Sequence, residues 1–438
     1  MQYKSPFGPI PRHWTVARLR DLTSKIGSGA TPRGGEKAYL QKRQNYALIR
    51  SQSVHDRYFD TSSVSFITDD QAHSLRNAEV KDGDILLNIT GDGVTFARST
   101  IVPNRVLPAC VNQHVAIVRP VPTLADAQYL MSFLASPEVK SYIEGFNAGG
   151  SRRAITKGHI ESFEIPLPPL AEQEAIGSIL SSLDGKIELN RRMNETLEAM
   201  AQAIFRDWFV DFGPTRRKLE GATDPLTIMG GLVQDDDRAQ ALADLFPAAL
   251  DDQGLPEGWS FKPLDESLVL QRGFDLPKFS RTDGLYPVIA ASGPSGTHSE
   301  FKVVAPGVCT GRSGVLGNVF YVQQDFWPLN TSLWIKAYPN ATPIYAYFLL
   351  REIDLLALNA GSAVPTLNRN HVHNRPTVTP PMTVVSAYTR IAELLMVKSD
   401  QAAKECEALA ATRDLLLPKL MSGEIRLSEA EEVMEAAQ

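Results

Sequence analysis

From Pro168-Pro169 onward the chain adopts a helical rhythm. Ile176, Leu180, Leu183, Ile187, Leu197, Ala201, Ile204 and Trp208 recur at spacings of three and four, and Asn190 and Asn194 occupy the two remaining seam positions. That period places them on one face of a helix of about 40 residues, ~60 Å long. No proline interrupts the pattern, which stops at Gly213-Pro214; Gly177 and Gly185 are its only breakers, each costing ~1 kcal/mol against alanine. A second pattern follows Pro380-Pro381 with Ile391, Leu395, Ala402, Leu409 and Leu416. Its alternate seam positions are polar (Lys398, Glu405, Thr412), so a weaker helix is expected, broken near Pro418 and closed by Ser422-Gly423. Stripes this long exceed what a small domain can cover, so the simplest expectation is that they pair with each other as an antiparallel coiled coil. The alternative is that each packs on its own domain.

The segments before each helix have a different texture. Short β-like runs (Asp84–Asn88, Val115–Val118, Asn318–Val322, Leu333–Lys336) are separated by glycine and proline turns and interrupted by helical patches at Ala125–Leu134 and Ile344–Leu350. This reads as mixed α/β (α+β). The two segments also echo each other. Trp14-x4-Leu19 and Pro32 reappear 245 residues later as Trp259-x4-Leu264 and Pro277. At an offset of 212, Asn147-Ala148-Gly149 matches Asn359-Ala360-Gly361, His159 matches His371, and Pro168-Pro169 matches Pro380-Pro381. A constant offset over several landmarks indicates a duplication. The expected organisation is a first module over 1–168, a long helix over 169–212 and a partly ordered linker over 213–254, with one short helix at Ala239–Leu245. A second module over 255–380, a long helix over 381–421 and an acidic tail over 422–438 complete it.

Composition narrows the function. With 438 residues, 43% apolar and 21% charged, the chain is an ordinary multidomain globular protein. Its net charge of −6 argues against indiscriminate coating of nucleic acid but leaves room for local basic patches. The polar start, broken by Pro6, Pro9 and Pro11, has no apolar core of a leader, and a cytoplasmic, non-membrane protein is expected. Cys110, Cys309 and Cys406 are far apart and are expected as reduced thiols. The chain has no Gly-x4-Gly-Lys-Ser/Thr loop, no HExxH, no G-x-S-x-G, and neither double proline has the flanks of an amine-methylating motif. No catalytic site, metal or cofactor is therefore expected in this chain.

Candidate DNA-contacting residues gather beside glycine-rich turns. Ser151, Arg152, Arg153, Thr156 and Lys157 lie in the Gly149–Gly158 loop, whose cations, hydroxyls and backbone N–H groups suit phosphate oxygens. Arg33, Lys37, Arg43, Arg50, Gln52, Thr90, Asp92, Arg98, Asn112 and Gln113 complete the first-module set. In the second module the set is Arg272, Arg312, Ser313, Asn330, Ser362, Asn368 and Arg369. Arginine and lysine read guanine, and asparagine and glutamine read adenine, through paired hydrogen bonds in the major groove.

Two divergent modules, each led by Trp-x4-Leu and each left through Pro-Pro into a helix, resemble type I restriction-modification specificity subunits. Ile165-Pro166-Leu167-Pro168-Pro169-Leu170-Ala171-Glu172-Gln173-Glu174-Ala175-Ile176 is similar to that family's junction between recognition domain and helix. Leu416-Leu417-Pro418-Lys419-Leu420-Met421-Ser422-Gly423-Glu424-Ile425 is similar to the end of its second helix. The second junction, Thr379-Pro380-Pro381-Met382-Thr383-Val384-Val385, departs by lacking the Glu-Gln pair. The resemblance implies a non-catalytic subunit whose two target-recognition domains each read half of a split, asymmetric site in double-stranded DNA. It further implies helices that set the gap, two methyltransferase subunits carrying S-adenosylmethionine, and restriction/translocase subunits using ATP and Mg. The competing readings are a scaffold whose modules bind protein, or an enzyme with its own catalysis fused to such modules.

Overall fold

The apolar run Val115–Val118 becomes the start of an inner strand, Val115–Pro120, in a four-stranded sheet ordered Thr23–Ser28, Val115–Pro120, Ile85–Asn88, Ser99–Ile101. All its pairings are antiparallel. Successive side chains of a strand point to opposite faces, and here both faces are covered. Ala116, Val118, Ile85 and Leu87 enter one core, whereas Val115, Ile117 and Leu86 enter another. A strand buried on both sides reads as an unbroken apolar run rather than an alternation, which is why this segment stands out in the sequence.

The computed structural model describes residues 8–147 and 153–436. They divide into two units, Met1–Arg192 with Ala402–Gln438, and Met193–Gln401. In the first unit a second four-stranded sheet runs Ser65–Ile67, Tyr46–Ile49, Ala109–Val111, Glu79–Val80, its middle pair parallel. Thr15–Arg18 pairs with Glu164–Leu167 and so ties the start of the recognition module to its end. The helical patch near residue 125 forms Ala127–Leu134, capped by the Asp126 side chain accepting from Tyr129 N. The second unit repeats the scheme: Ser260–Pro263 pairs with Pro376–Thr379. A four-stranded sheet runs Val269–Arg272, Ser332–Ala337, Gly307–Gly311, Val319–Val322, with a three-stranded sheet beside it in sequence. Its helix is Pro343–Glu352. Mixed α/β modules with long helices are thus the architecture.

The long helices are Leu170–Phe209 and Met382–Ser422. In the first unit Ile176, Leu180, Leu183 and Ile187 are buried in one core with Leu409, Leu416, Leu417 and Leu420. The helices run antiparallel there, since Arg413 meets Asp184 at 2.9 Å while Cys406, earlier in its helix, donates to the Ile187 carbonyl, later in the other. In the second unit Tyr388 donates to the Ala201 carbonyl at 3.1 Å, and Phe205 and Trp208 pack around the Tyr388 ring. The helices therefore do both things that the stripe allowed. Each also packs on a module: Gly177 approaches so closely that a Cβ would lie 2.5 Å from Asp126 Oδ1.

Four expectations need correction. The segment 213–254 folds as three helices, Gly213–Leu219, Pro225–Ile228 and Asp236–Ala243. It buries Ile228, Met229, Ala243 and Phe246 in the same core as Trp208 and Trp259. Its leading Gly-Pro looks like a stop, yet proline is tolerated in a first turn, where its missing N–H is unneeded. Second, the Met382–Ser422 helix continues through Pro418. It ends four residues later in a Schellman arrangement, with Gly423 at φ +69° and bonds Gly423 N→Leu420 O and Glu424 N→Lys419 O. Third, Lys398 and Glu405 are exposed rather than in the seam, which removes the reason to think this helix weak. Fourth, the acidic tail carries a helix, Leu427–Ala436, that buries Ala430. Cys110 and Cys309 are buried free thiols, and Cys406 is a half-buried one. No helix among the described residues is long and apolar enough to cross a membrane.

Candidate nucleic-acid interface

In the first unit one polar patch forms where four sequence-distant segments meet. Thr90-Gly91 pairs with Arg153-Ala154 as a short antiparallel ladder. The turn that follows is held by Asp92, whose Oδ1 accepts from Thr95 N (2.8 Å), Thr95 Oγ1 (2.8 Å) and Val94 N (3.0 Å). Those bonds hold the Asp92 carboxyl below its ordinary value. Thr90 Oγ1 meets His114 Nδ1 at 2.6 Å, Gln113 Nε2 meets His114 Nε2 at 3.2 Å, and Thr31 donates to Gln113 Oε1. Asn112 is buried, and its Oδ1 accepts from His114 N at 3.0 Å, so it shapes this loop from inside. Arg153 pairs with Glu144 at 2.6 Å, and the exposed Lys157 pairs with Glu161 at 3.4 Å. Thr156 caps the helix Lys157–Glu161. Ser151 and Arg152 lie outside the described residues.

The other first-module candidates are spent differently. Arg43 donates to the carbonyls of Asn45, Arg105, Val106 and Leu107, which makes it a pin for the 105–107 turn. Arg50 pairs with Glu36 at 2.6 Å and lies over the Tyr39 ring. Gln52 donates to Ser63 O at 3.3 Å, and Arg98 meets His55 Nδ1 at 3.2 Å. Arg33 and Lys37 are exposed.

The second unit concentrates its candidates more tightly. Arg272, Arg312, Thr366, Asn368, Arg369 and Asn370 line one open concavity of about 520 Å³. Arg272 ends a strand; the Arg312 backbone is fixed by N→Thr331 O (2.8 Å) and by Leu367 N→Arg312 O (2.8 Å). The Arg312 guanidinium reaches the Asn330 carbonyl at 3.0 Å. Asn330 donates its amide to Asp275, which also meets Arg272 at 3.7 Å. Ser313 bridges to Thr366, and Asn368 caps the helix Arg369–His373. His373 Nε2 accepts from Leu270 N at 2.9 Å, which locks that helix to the strand bearing Arg272. Ser362 is exposed on the loop beyond. Arg272, Arg312 and Arg369 make the lining of this concavity basic in a chain that is acidic overall.

Thr366 and Asn370 belong to the polar loop Gly361–Asn370 that the sequence offered as the duplicate of Gly149–Gly158, whereas Thr31 and Asp275 carried no signal, because a lone threonine or aspartate is unremarkable until the fold places it. Among the described residues no group of three or more His, Cys, Asp or Glu is placed to hold a metal ion.

Residues 11–199 match the family model described as the type I restriction modification DNA specificity domain. Over 452 residues the chain is 22% identical to the type I restriction enzyme MjaIX specificity subunit of Methanocaldococcus jannaschii, covering 97% of this chain and 96% of that one. The HindI specificity subunit of Haemophilus influenzae is 23% identical over 445 residues, covering 87% of this chain and 94% of that one. The chain is similar to type I restriction-modification specificity subunits over nearly its whole length. The crystal structure of the S subunit from M. genitalium shares its fold, with a TM-score of 0.56 at 16% identity, covering 94% of this chain and 96% of that one.

The two module–helix junctions of this chain differ in a way the structure explains. At the first, Glu172 Oε2 accepts from Trp14 Nε1 and meets His13 Nε2, both at 3.2 Å. Gln173, 1% exposed, accepts from Asp126 N and donates to the Leu124 and Pro168 carbonyls. At the second, the matching positions are Val384 and Val385, both buried. There Trp259 packs on Phe209, Phe212 and Phe246, and its Nε1 is buried with no hydrogen-bond partner. An aromatic cluster has replaced a polar clasp.

Proposed function

We propose that each recognition domain of this subunit reads one half of a split, asymmetric duplex site, and that the long helices act as the spacer between half-sites. The convergence of Arg272, Arg312, Asn368 and Arg369 on one open polar concavity carries this reading. Guanidinium and amide groups side by side match the acceptor pair of guanine and the donor–acceptor pair of adenine. In the first domain Gln113, His114 and Thr90 are the corresponding base readers. Arg33, Lys37, Arg98, Arg153 and Lys157, with Ser151 and Arg152 beside them, contact phosphate and set register. The helices also dock two methyltransferase subunits, which supply S-adenosylmethionine; the restriction/translocase subunits, which use ATP and Mg, act on that assembly in the cytoplasm. This chain supplies no catalysis of its own.

The test is to express the chain with its methyltransferase subunit and map methylated bases by single-molecule sequencing. A split motif with a fixed gap, absent when this chain is omitted, is the expected result. Exchanging residues 255–380 for those of another specificity subunit changes one half only. Methylation without any motif, or a motif unaffected by the exchange, overturns the reading.

A further inference from the structure

The second unit exposes two large apolar side chains on one short loop, and nothing in the fold requires it. Phe279 is 90% exposed and Leu285 is 87% exposed, the highest values among the large hydrophobic residues described. Leaving such surface in water is unfavourable by the transfer free energy of each side chain, and an exposed apolar tip on an otherwise ordered loop marks a contact site. The loop is anchored at both ends. On one side Phe274 N donates to Pro328 O at 2.8 Å and Asn330 N donates to Phe274 O at 2.9 Å. On the other, Arg281 donates to Ser295 O, and Thr282 N donates to His298 Nδ1 at 3.2 Å. The backbone at Gly284 lies against Ser299, where a Cβ has no room. The tip is therefore presented by a braced loop.

Its surroundings point to what it meets. The loop springs from Asp275 and Asn330, which border the arginine-lined concavity through Arg272 and Arg312. Phe279 is flanked in sequence by the exposed Lys278 and by Arg281. The loop itself is charge-balanced by Asp275 and Asp283, so it is the arginine-lined concavity near its base that points to a polyanion, and an apolar tip beside such a site fits a nucleic-acid duplex with its phosphates outside and its bases inside. At the offset of 245 that aligns Trp14 with Trp259 and Pro32 with Pro277, Phe279 corresponds to Gly34. The corresponding position in the first module thus carries no side chain.

Resting on the DNA-reading function above, we propose that Phe279 is a specificity-determining residue. It enters the groove of the half-site read by the second domain and makes apolar contact with the base edges, while Lys278 engages the adjoining phosphate. Apolar side chains act in this way either against a thymine methyl group or as a wedge at a deformable base step.

The experiment uses the full chain assembled with its methyltransferase subunit and a 40-base-pair duplex carrying the motif found by methylation mapping, with a scrambled duplex as control. Binding is measured across a salt series for wild type, Phe279→Ala, Phe279→Leu and Lys278→Ala. Phe279→Ala is expected to weaken the motif duplex about tenfold, leave the scrambled duplex unchanged, and keep the salt slope of wild type. Phe279→Leu restores most of the affinity. Lys278→Ala weakens both duplexes and lowers the slope by about one. Methylation mapping of Phe279→Ala cells shows relaxation at one position of a single half-site. Unchanged affinity and motif in Phe279→Ala overturn the proposal, as does a loss confined to methyltransferase assembly, which identifies the tip as a protein contact. If wild type itself does not discriminate the two duplexes, the failure lies with the DNA-reading function.

Discussion

Asp184 is a buried charge shared by two arginines in the first unit. It sits on the Leu170–Phe209 helix and holds two guanidiniums at once, Arg57 at 3.1 Å and Arg413 at 2.9 Å. The side chains are 5%, 11% and 16% exposed for Arg57, Asp184 and Arg413. Arginine does not release its proton in a protein, so Asp184→Asn strands Arg57 and leaves Arg413 with the exposed Asp414, 2.8 Å away, as its one carboxylate. Arg57 keeps only the Ser132 carbonyl at 3.0 Å and hydroxyl at 3.2 Å. Breaking a buried pair from one side costs ~3–5 kcal/mol because the remaining charge is uncompensated. Against a typical domain stability of ~5–15 kcal/mol, that is a large fraction. Hydrogen exchange in a urea series on the full chain reads each unit separately. Amides of residues 8–147 and 153–192 should lose ~3 kcal/mol or more of protection, and those of 193–401 should be unaffected. A triple replacement, Arg57→Met with Asp184→Leu and Arg413→Met, should return stability to wild type or above, since burying the whole triad is itself costly. A shift below ~1 kcal/mol, the size seen for exposed pairs, would refute the reasoning. So would a triple variant as unstable as Asp184→Asn.

The two glycines of the first helix should respond oppositely to alanine. At Gly185 an added Cβ meets nothing within 4 Å, so thermal unfolding of Gly185→Ala should show a gain of ~1 kcal/mol from helix propensity alone. At Gly177 the Cβ would meet Asp126 Oδ1, Gln128 Cβ at 3.0 Å and Tyr129 N at 3.1 Å, and the same measurement should show a loss of ~1–3 kcal/mol from overpacking. Trp14→Phe should cost ~1 kcal/mol more than Trp259→Phe in denaturant unfolding, because only Trp14 gives up a hydrogen bond. Burial holds His373 below its ordinary value, and its neutral Nε2 accepts from Leu270 N. The unfolded chain therefore binds the proton first, so this contribution is present above ~6.5. It is lost as pH falls through the lower folded value. The second unit's unfolding midpoint should drop between about pH 7 and 5, and His373→Gln should flatten that dependence.

Periodicity indicated the two long helices and the mixed α/β class, and landmark residues at a constant offset indicated the duplication. These properties depend on local spacing and on the contrast between apolar and polar side chains, both of which are written along the chain. The sign of a glycine's contribution was not legible there: Gly177 and Gly185 look alike until the approach of Asp126 separates them. Nor did charge reveal its use. Arg43 and Arg50 resemble Arg272 and Arg369 as residues, yet the first two are spent on carbonyls and on Glu36. The latter two line an open concavity. Packing also overruled turn chemistry at Gly213-Pro214, where Trp208 and Phe246 gave short helices a core to join. Local pattern specifies which element forms. Which side chains remain free to meet another molecule depends on partners brought from far along the chain, and only the tertiary structure decides that.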